Sequence, residues 1–310
     1  MIVTVTLNTA IDRTLLIKDF LWNQTIRASQ SALGMGGKAA DASWILSELG
    51  YRNCAMGFAA GTVGRQMKKM LEDRGGETDL VWVKGETRTN IVVISEAGKS
   101  QSTLVSNGLE IKAKDVAVFR KKYTARISKA TCVLIGGSVP QGISPTIYTE
   151  LVEEARQAGL PVVFDASGPG LKAGLEGRPT IVKPNIDEIS DLAGRKVTTV
   201  DEAYHAAKEL KTRYGSDFIV TLGHEGALAI LANQSYFIPV LKIPVVSSAG
   251  AGDGVLAGVS AALATGKTIE EGLCQGFAAA AAVCLTLATA DCRREDVNRL
   301  QPQIQLIRYP

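Results

Sequence analysis

The chain has 310 residues, with 34 basic and 31 acidic side chains and a net charge of +3. This length can bury the core of one large α/β domain or of two small ones. Aromatic residues make up only 5% of the chain, and no run of lysines or arginines stands out. The composition therefore argues against a nucleic-acid or membrane partner and favours a small-molecule ligand.

The cysteines and histidines indicate a reduced protein without zinc. The five cysteines form no Cys-x-x-Cys pair, and His205 and His224 have no Cys or His at ligand spacing. Residues 2–7 read as a strand rather than a signal peptide, and the apolar run 277–290 is too short to span a bilayer and predicts a buried helix. We therefore expect a cytoplasmic location.

Short β-branched runs alternate with amphipathic stretches along the chain. Strands are predicted at 2–7, 131–135, 161–165, 180–182, 218–221 and 227–231, and helices at 38–49, 145–158, 200–214 and 254–264. This alternation predicts an α/β fold with a mainly parallel sheet that helices cover on both faces. Ligands bind such sheets beyond the carboxyl ends of the strands. Polar or small residues follow several of the predicted strands, as at Asn8, 136–138, 165–168, 183–185 and 222–223.

Two segments, about 12–33 and 81–105, break this alternation. They contain strand-like pieces with no long helix between them. They predict a small antiparallel β lid over the ligand site. Because no linker or repeat divides the remainder, we expect a single domain over 1–310.

The run Ala249-Gly250-Ala251-Gly252-Asp253 precedes a predicted helix. Glycines entering a helix leave its first N–H groups free at the positive end of the helix dipole, where a phosphate can bind. A carboxylate beside such a site is suited to act as general base for an attacking hydroxyl, which points to Asp253. The alternative is an ordinary helix start with glycines in a tight turn, and spacing alone does not separate the two.

Two other phosphate-binding motifs are disfavoured. Gly266-Lys267-Thr268 is similar to the end of a Walker loop, but Ala261 stands where that loop needs glycine. Gly266 is better interpreted as a helix C-cap. Val255 likewise breaks the pattern Gly-x-Gly-x-x-Gly, which argues against a dinucleotide-binding dehydrogenase.

Two further segments carry ligand-binding chemistry. Gly36-Gly37-Lys38 opens a predicted helix with Asp41 one turn later, so that a cation and a carboxylate could face a ligand. The alternative is a capped surface helix. In the run 183–188, oxygens of Asn185 and Glu188 could hold Mg²⁺, although a capping box explains the same two residues.

Together these segments resemble the ribokinase-like (PfkB) carbohydrate kinases. The similarity is strongest to the branch of 1-phosphofructokinase, tagatose-6-phosphate kinase and the minor 6-phosphofructokinase, and it covers nearly the whole chain. It rests on an ordered series of motifs: Asn8-Thr9-Ala10-Ile11-Asp12, Gly36-Gly37-Lys38, Gly137-Ser138-Val139-Pro140-Gln141-Gly142, Asp165-x-Ser167-Gly168, Lys183-Pro184-Asn185-x-x-Glu188, Thr221-Leu222-Gly223-x-x-Gly226-Ala227 and Gly250-Ala251-Gly252-Asp253.

The resemblance implies a three-layer α/β/α domain with a lid, and a kinase that uses ATP and Mg²⁺. Asp253 would be the catalytic base, and the backbone N–H groups of Gly250, Ala251, Gly252 and Asp253 would hold the transferred phosphoryl. The remaining implied roles are ATP binding by Lys183, Asn185, Thr221, Gly223, Gly226 and Ser248; metal binding by Glu188, Asn185 and Asp165; sugar binding by Asp12, Gly36, Gly37, Lys38, Asp41 and Ser138; and a phosphate grip by Arg27 and Arg88 from the lid.

The implied reaction is phosphorylation of a hexose phosphate at a primary hydroxyl, giving a bisphosphate. The substrate would be fructose 1-phosphate, fructose 6-phosphate or tagatose 6-phosphate, and a homodimer through the lid would be compatible. The chain departs from the branch at Ala39 and Asp41, where Gly and Asn are usual, and at Thr9 and Gln141, where Pro is usual. The alternatives are a kinase for an unphosphorylated sugar or nucleoside, and a non-catalytic sugar-phosphate sensor.

Overall fold

The computed structural model describes residues 1–98 and 100–310. Its strands are β1 (Ile2–Thr6), β2 (Ala10–Ile17), β3 (Ala28–Gly36), β4 (Asn53–Ala59), β5 (Glu77–Trp82), β6 (Arg88–Ser95), β7 (Ser100–Leu104), β8 (Cys132–Gly136), β9 (Val162–Asp165), β10 (Ile181–Val182), β11 (Asp217–Thr221), β12 (Ala227–Ile230), β13 (Ser235–Ile238) and β14 (Ile307–Tyr309). Its helices are α1 (Lys38–Glu48), α2 (Gly61–Asp73), α3 (Ala113–Ile127), α4 (Ile147–Gln157), α5 (Gly168–Glu176), α6 (Ile186–Ala193), α7 (Val200–Tyr214), α8 (Ala251–Thr265), α9 (Ile269–Cys284) and α10 (Arg294–Leu300).

Ten strands form one large sheet in the order β14-β13-β12-β11-β10-β9-β8-β1-β4-β5. The strands from β11 to β5 are parallel, and β12, β13 and β14 add an antiparallel edge. Apolar residues fill a core on each face of this sheet, one around Phe119 and Phe164 and the other around Ile45 and Val259. The predicted α/β fold with a mainly parallel sheet is confirmed.

Helices α8 and α9 pack with almost no side chain between them. A Cβ on Gly258 would overlap the backbone of Gly276, and a Cβ on Gly254 would lie within contact distance of the backbone at Ala280. This close approach holds the start of α8 in place. The structure begins α8 at Ala251, three residues before the predicted start. The predicted start is late because glycines, which have low helix propensity, lie in the first turn of this helix.

The apolar run 277–290 is a helix only in part. Helix α9 ends at Cys284, and the remainder is a buried turn in which Ala290 takes a left-handed conformation with φ 54°. Hydrophobicity predicts burial here, but it does not show that the backbone leaves the helix. This turn, 285–292, reaches the loop before α8.

The predicted lid is a four-stranded sheet of β3, β2, β6 and β7, which we call the lid sheet. Its outer pairs, β2–β3 and β6–β7, are antiparallel, whereas the central pair β2–β6 is parallel. Both outgoing strands leave the carboxyl edge of the large sheet, after the parallel strands β1 and β5, so they run in the same direction. The excursions span 10–36 and 88–104, and Val81 belongs to β5 of the large sheet.

Within the described residues, no helix is long and apolar enough to cross a membrane. All five cysteines are free. Gly266 has φ 71° and its neighbour Lys267 donates its N–H to Ala262, so the segment similar to a Walker loop is a helix end. Thr268 then caps α9 by accepting a hydrogen bond from the Glu271 N–H.

Candidate active site

Asp253 lies in the first turn of α8, at the carboxyl edge of the large sheet, and only 8% of it is exposed. Gly250 caps this helix with φ 80°, and a Cβ there would overlap the backbone of Ala290. The turn 285–292 therefore fixes the loop before α8, and Ala290 donates its N–H to the carbonyl of Ala249 at 3.1 Å. A buried carboxylate is thus held where the helix begins.

Two of the four N–H groups predicted to hold a phosphoryl group already donate within this turn. The N–H of Ala251 reaches the Ser248 carbonyl at 3.2 Å, and that of Asp253 reaches the Gly250 carbonyl at 3.0 Å. The N–H groups of Gly250 and Gly252 are therefore better candidates for an incoming phosphate oxygen.

Two ammonium groups surround the buried carboxylate of Asp165, at the end of β9. Lys38 from α1 contacts its Oδ1, and the Nζ of Lys183, just after β10, lies 2.6 Å from its Oδ2. Burial would raise the pKa of Asp165, but Lys183 and Lys38 lower it. The Nζ of Lys183 also lies 3.2 Å from the place where a Cβ on Gly252 would sit. Positive charge therefore lines the approach to the first turn of α8.

Lys38 faces two carboxylates from different elements. Besides Asp165, its Nζ faces the Glu188 Oε1 at 3.5 Å. Burial alone would lower the pKa of Lys38, but the charges of Asp165 and Glu188 raise it, so this side chain stays an ammonium. Lys38 is predicted to bind the sugar, and in the structure it contacts Asp165 and Glu188, which are predicted to hold the metal.

Asp253 and Asp41 bring two carboxyl groups together. Asp41 lies in the first turn of α1, is 5% exposed, and its side chain is in hydrogen-bond contact with that of Asp253. Burial and the charge of Asp165 raise the pKa of Asp253 to about 7, against the lowering effects of Lys183, Lys38 and Asp41. Asp253 therefore titrates near neutral pH, where a general base is most effective.

The predicted sugar-binding residue Asp12 is also buried. Its Oδ1 accepts a hydrogen bond from the Asn90 Nδ2 at 2.8 Å, and Thr289 of the turn 285–292 lies beside it. A Cβ on Gly36 would lie 2.5 Å from this carboxylate, so glycine is needed for the approach. The predicted sugar-binding residue Ser138 accepts a hydrogen bond at its Oγ from the Asn8 Nδ2 at 3.0 Å.

The two lid arginines do not meet. Arg88 pairs with Ala10 at the inner end of β2, where it donates to the carbonyls of Ser106 and Asn8. Arg27 is exposed and precedes Ala28, which pairs with Ile17 at the outer end of β2. From Ala10 to Ile17 is seven strand positions, or roughly 23 Å at about 3.3 Å each. Within one chain, Arg88 is therefore the arginine that lies beside Asp12.

The residues predicted to bind ATP gather at the ends of β10 and β11. Asn185 forms a bridge with Thr221 and caps α6, its Oδ1 accepting from the Glu188 N–H at 2.8 Å. Glu188 Oε2 accepts in return from the Asn185 N–H at 2.9 Å, which is the predicted capping box. Gly223 and Gly226 flank a 3₁₀ turn directly after β11.

The chain matches the pfkB family of carbohydrate kinases over residues 4–296. It belongs to this family. Tagatose-6-phosphate kinase of Staphylococcus epidermidis is 30% identical with 99% of both chains covered. 1-Phosphofructokinase of Bacillus subtilis is also 30% identical, covering 99% of this chain and 100% of the other. The tetrameric inhibited form of phosphofructokinase-2 from Escherichia coli has a TM-score of 0.86 at 25% identity, covering 97% of this chain and 98% of that one. The predicted family and the predicted class, a carbohydrate kinase, are confirmed.

Three residues at the candidate site carry no signal in the sequence. Asn90 donates to Asp12, Thr289 lies beside Asp12, and Gln101 on β7 joins the lid sheet to the loop before α8. The Gln101 Oε1 accepts from the Ser247 Oγ at 3.0 Å and from the Ser248 N–H at 3.1 Å. Gln101 is 146 positions from Ser247, and no motif surrounds it, so local patterns could not have indicated the contact.

Replacing Asp253 by Asn should reduce kcat by about 10²–10⁴-fold, because an amide cannot accept the proton of the attacking hydroxyl. Steady-state kinetics, with ATP affinity measured by calorimetry, would check this. Asp73→Asn is the matched control, since Asp73 is an exposed carboxylate on α2. Turnover by Asp253→Asn close to that of the parent would contradict the assignment.

Replacing Gln101 by Ala should loosen the lid sheet from the loop before α8. Two hydrogen bonds are lost, so kcat/KM for the sugar should fall about tenfold, and ATP hydrolysis without sugar should rise because water enters more easily. Ser102→Ala, on the neighbouring exposed residue of β7, is the control. Equal kinetics for the two variants would show that the Gln101 contact does not hold the lid.

Proposed function

We propose that this kinase transfers the γ-phosphate of ATP to a primary hydroxyl of a hexose phosphate, giving a bisphosphate. The observation that carries the proposal is the buried carboxylate of Asp253 in the first turn of α8, with Lys183 and Lys38 beside it. A base next to a positively charged cradle is what phosphoryl transfer to a hydroxyl requires. The named kinase relatives support a substrate among fructose 1-phosphate, fructose 6-phosphate and tagatose 6-phosphate.

In the proposed reaction, Asp253 accepts the proton of the sugar hydroxyl as that oxygen attacks the γ-phosphorus. The bond from phosphorus to the β,γ-bridging oxygen breaks, and ADP leaves. The N–H groups of Gly250 and Gly252 and the ammonium of Lys183 would stabilise the charge on the transferred phosphoryl. Lys38 would act on the same phosphates, because its ammonium lies between Asp165 and Glu188.

Of the residues predicted to hold Mg²⁺, Glu188 fits best. Mg²⁺ prefers hard oxygen ligands and keeps several waters, so one carboxylate together with ATP phosphates suffices. Among the described residues, Lys38 is the one group that faces the Glu188 Oε1, at 3.5 Å. In contrast, Asp165 has an ammonium group against each oxygen, and the Asn185 Oδ1 caps α6. When bound, the metal would neutralise phosphate charge. We propose that Asp165 contributes indirectly, by holding the two lysines.

The sugar end of the site would be formed by Asp12, Asp41 and Ser138, with Arg88 binding the phosphate that the substrate already carries. Arg88 supports this role because it lies beside Asp12 and carries a guanidinium, which matches phosphate oxygens in geometry. Arg27 lies at the other end of β2. It would reach a substrate phosphate only if the lid sheet of a second chain came close.

We also propose a homodimer through the lid sheet. The loop between β2 and β3 exposes Phe20, Leu21 and Trp22, and the side chain of Trp22 is 82% exposed. Phe20 and Trp22 contact each other edge to face with ring centroids 5.2 Å apart, forming an apolar tip. Adjacent exposed apolar side chains of this kind favour a protein partner, and phosphofructokinase-2 of Escherichia coli is tetrameric in the form noted above.

An ADP-release assay across the three hexose phosphates, free sugars and nucleosides tests the substrate class. The proposal expects kcat/KM for one hexose phosphate to exceed that for every free sugar and nucleoside. Preference for a free sugar or nucleoside would instead support a kinase for unphosphorylated acceptors. Binding without ADP release for every compound would support a sensor.

Replacing Arg88 by Ala should raise KM for the hexose phosphate about tenfold or more while KM for ATP changes little, since only a contact to the sugar's phosphate is lost. Arg65→Ala is the matched control, because Arg65 is an exposed arginine on α2. If KM for ATP rose equally in the Arg88 variant, the arginine would not be a specific grip for the sugar phosphate.

A further inference from the structure

The carboxyl groups of Asp41 and Asp253 meet across the contact between α1 and α8. Asp41 is 5% exposed and Asp253 is 8% exposed, so neither is well hydrated. Two ionised carboxylates cannot remain in contact in such a place, because repulsion adds to the cost of burial. The pair must therefore hold a proton in the folded chain.

The surrounding charges decide which carboxyl holds that proton. Lys38 and Lys183 both act on Asp253 and favour its ionised form. Asp41 faces Asp253 and the carboxylate of Asp12, and among the described residues its buried Oδ1 has no hydrogen-bond partner. The backbone of Gly37 favours the ionised form of Asp41, but it has the smallest effect on the pKa of this carboxyl, and burial with the charges of Asp253 and Asp12 outweighs it. The two lysines therefore stabilise Asp253 as a carboxylate, and the proton of the pair is bound to Asp41.

We propose that Asp41 is kept as a neutral carboxylic acid that donates a hydrogen bond to Asp253 and so positions the base. This inference rests on the proposed function of Asp253. A neutral acid offers one donor and one acceptor, as an amide group does, whereas a carboxylate only accepts. Asp41 therefore adds no negative charge beside an anionic sugar and takes the part of an amide in this site.

The titration of the pair is consistent with this arrangement. Burial, followed by the charges of Asp253 and Asp12, raises the pKa of Asp41 well above its usual range. The pKa of Asp253 is raised to about 7. The other charged groups that act on the pair are Asp12 on β2, Lys38 on α1, Asp165 on β9 and Lys183 after β10. Arg88 on β6 acts on Asp12, and Glu188 on α6 acts on Lys38.

The consequence is an alkaline limit on activity that an amide would not have. As pH rises, Asp41 loses its proton, Asp253 loses its donor, and the two anions repel. At low pH, Asp253 itself gains a proton and cannot act as a base. The plot of kcat/KM against pH should therefore be bell-shaped, and both pKa values belong to the pair.

The first test needs no substrate. Infrared spectroscopy of the free protein at a pH well above 7, where Asp253 is ionised, should show the C=O stretch of a protonated carboxyl group, and the Asp41→Asn variant should lose it. Asp73→Asn should retain it, because Asp73 is exposed and paired with Lys69. In Asp253→Asn the stretch should disappear at lower pH than in the parent, since a neutral partner no longer raises the pKa of Asp41. The absence of any protonated carboxyl band in the parent would overturn the proposal.

The second test uses the pH dependence of turnover with saturating MgATP and the best acceptor. The parent should lose kcat/KM about tenfold per pH unit on the alkaline side, and Asp41→Asn should lose this limb while remaining active at neutral pH. Asp41→Ala should lose about tenfold or more at every pH, because it has no donor. An alkaline limb unchanged in Asp41→Asn would overturn the positioning role. If no acceptor were phosphorylated, the proposed function would fail, and the infrared result would still decide the protonation of Asp41.

Discussion

The ion cluster around Asp165 organises this site. A carboxylate that is 1% exposed would cost several kcal/mol to bury alone, and here it lies between Lys38 and Lys183. These residues come from β9, from the start of α1 and from the end of β10, so one cluster joins three elements at the carboxyl edge of the sheet. The same charges act on Asp253: Asp165 raises its pKa and the lysines lower it. The same three residues, Asp165, Lys38 and Lys183, therefore neutralise one another's charge and also set the pKa of the proposed base.

The turn 285–292, which contains no catalytic motif, contacts both the predicted phosphoryl site and the predicted sugar site. The turn 285–292 packs Ala290 against Gly250, at the predicted phosphoryl site, and places Thr289 on Asp12, at the predicted sugar site. The backbone of Thr289 also lies where a Cβ on Gly34 would be, which brings β3 of the lid sheet against the same turn. Because each contact is close to backbone, this turn leaves little freedom between the acceptor and the base.

The first turn of helix α1 supplies one polar side chain to each of two neighbours in the site. Lys38 and Asp41 are three positions apart, a spacing that puts side chains on one face of a helix. The lysine pairs with Asp165, and the aspartate contacts Asp253. Where the branch of kinases that this chain resembles has Asn, the chain has Asp41, and burial makes this carboxyl resemble an amide in charge and hydrogen bonding. The replacement of Asn by Asp at position 41 would ordinarily add a negative charge, but a protonated Asp41 adds none.

The sequence by itself determined the α/β fold and the placement of Asp253 at a helix start, and it predicted the carboxyl edge as the candidate site, because strand and helix periods and glycine-rich turns are local properties. It also contained the capping box of Asn185 and Glu188, a pattern within four residues. Only the tertiary structure decided that Lys38 faces Asp165, that Arg27 and Arg88 lie at opposite ends of β2, and that Gln101 reaches Ser247. These relations join residues far apart in the chain or depend on strand register, which no local pattern encodes. The protonation of Asp41 belongs to the same class, since it arises from burial and from three carboxyl groups brought together by folding.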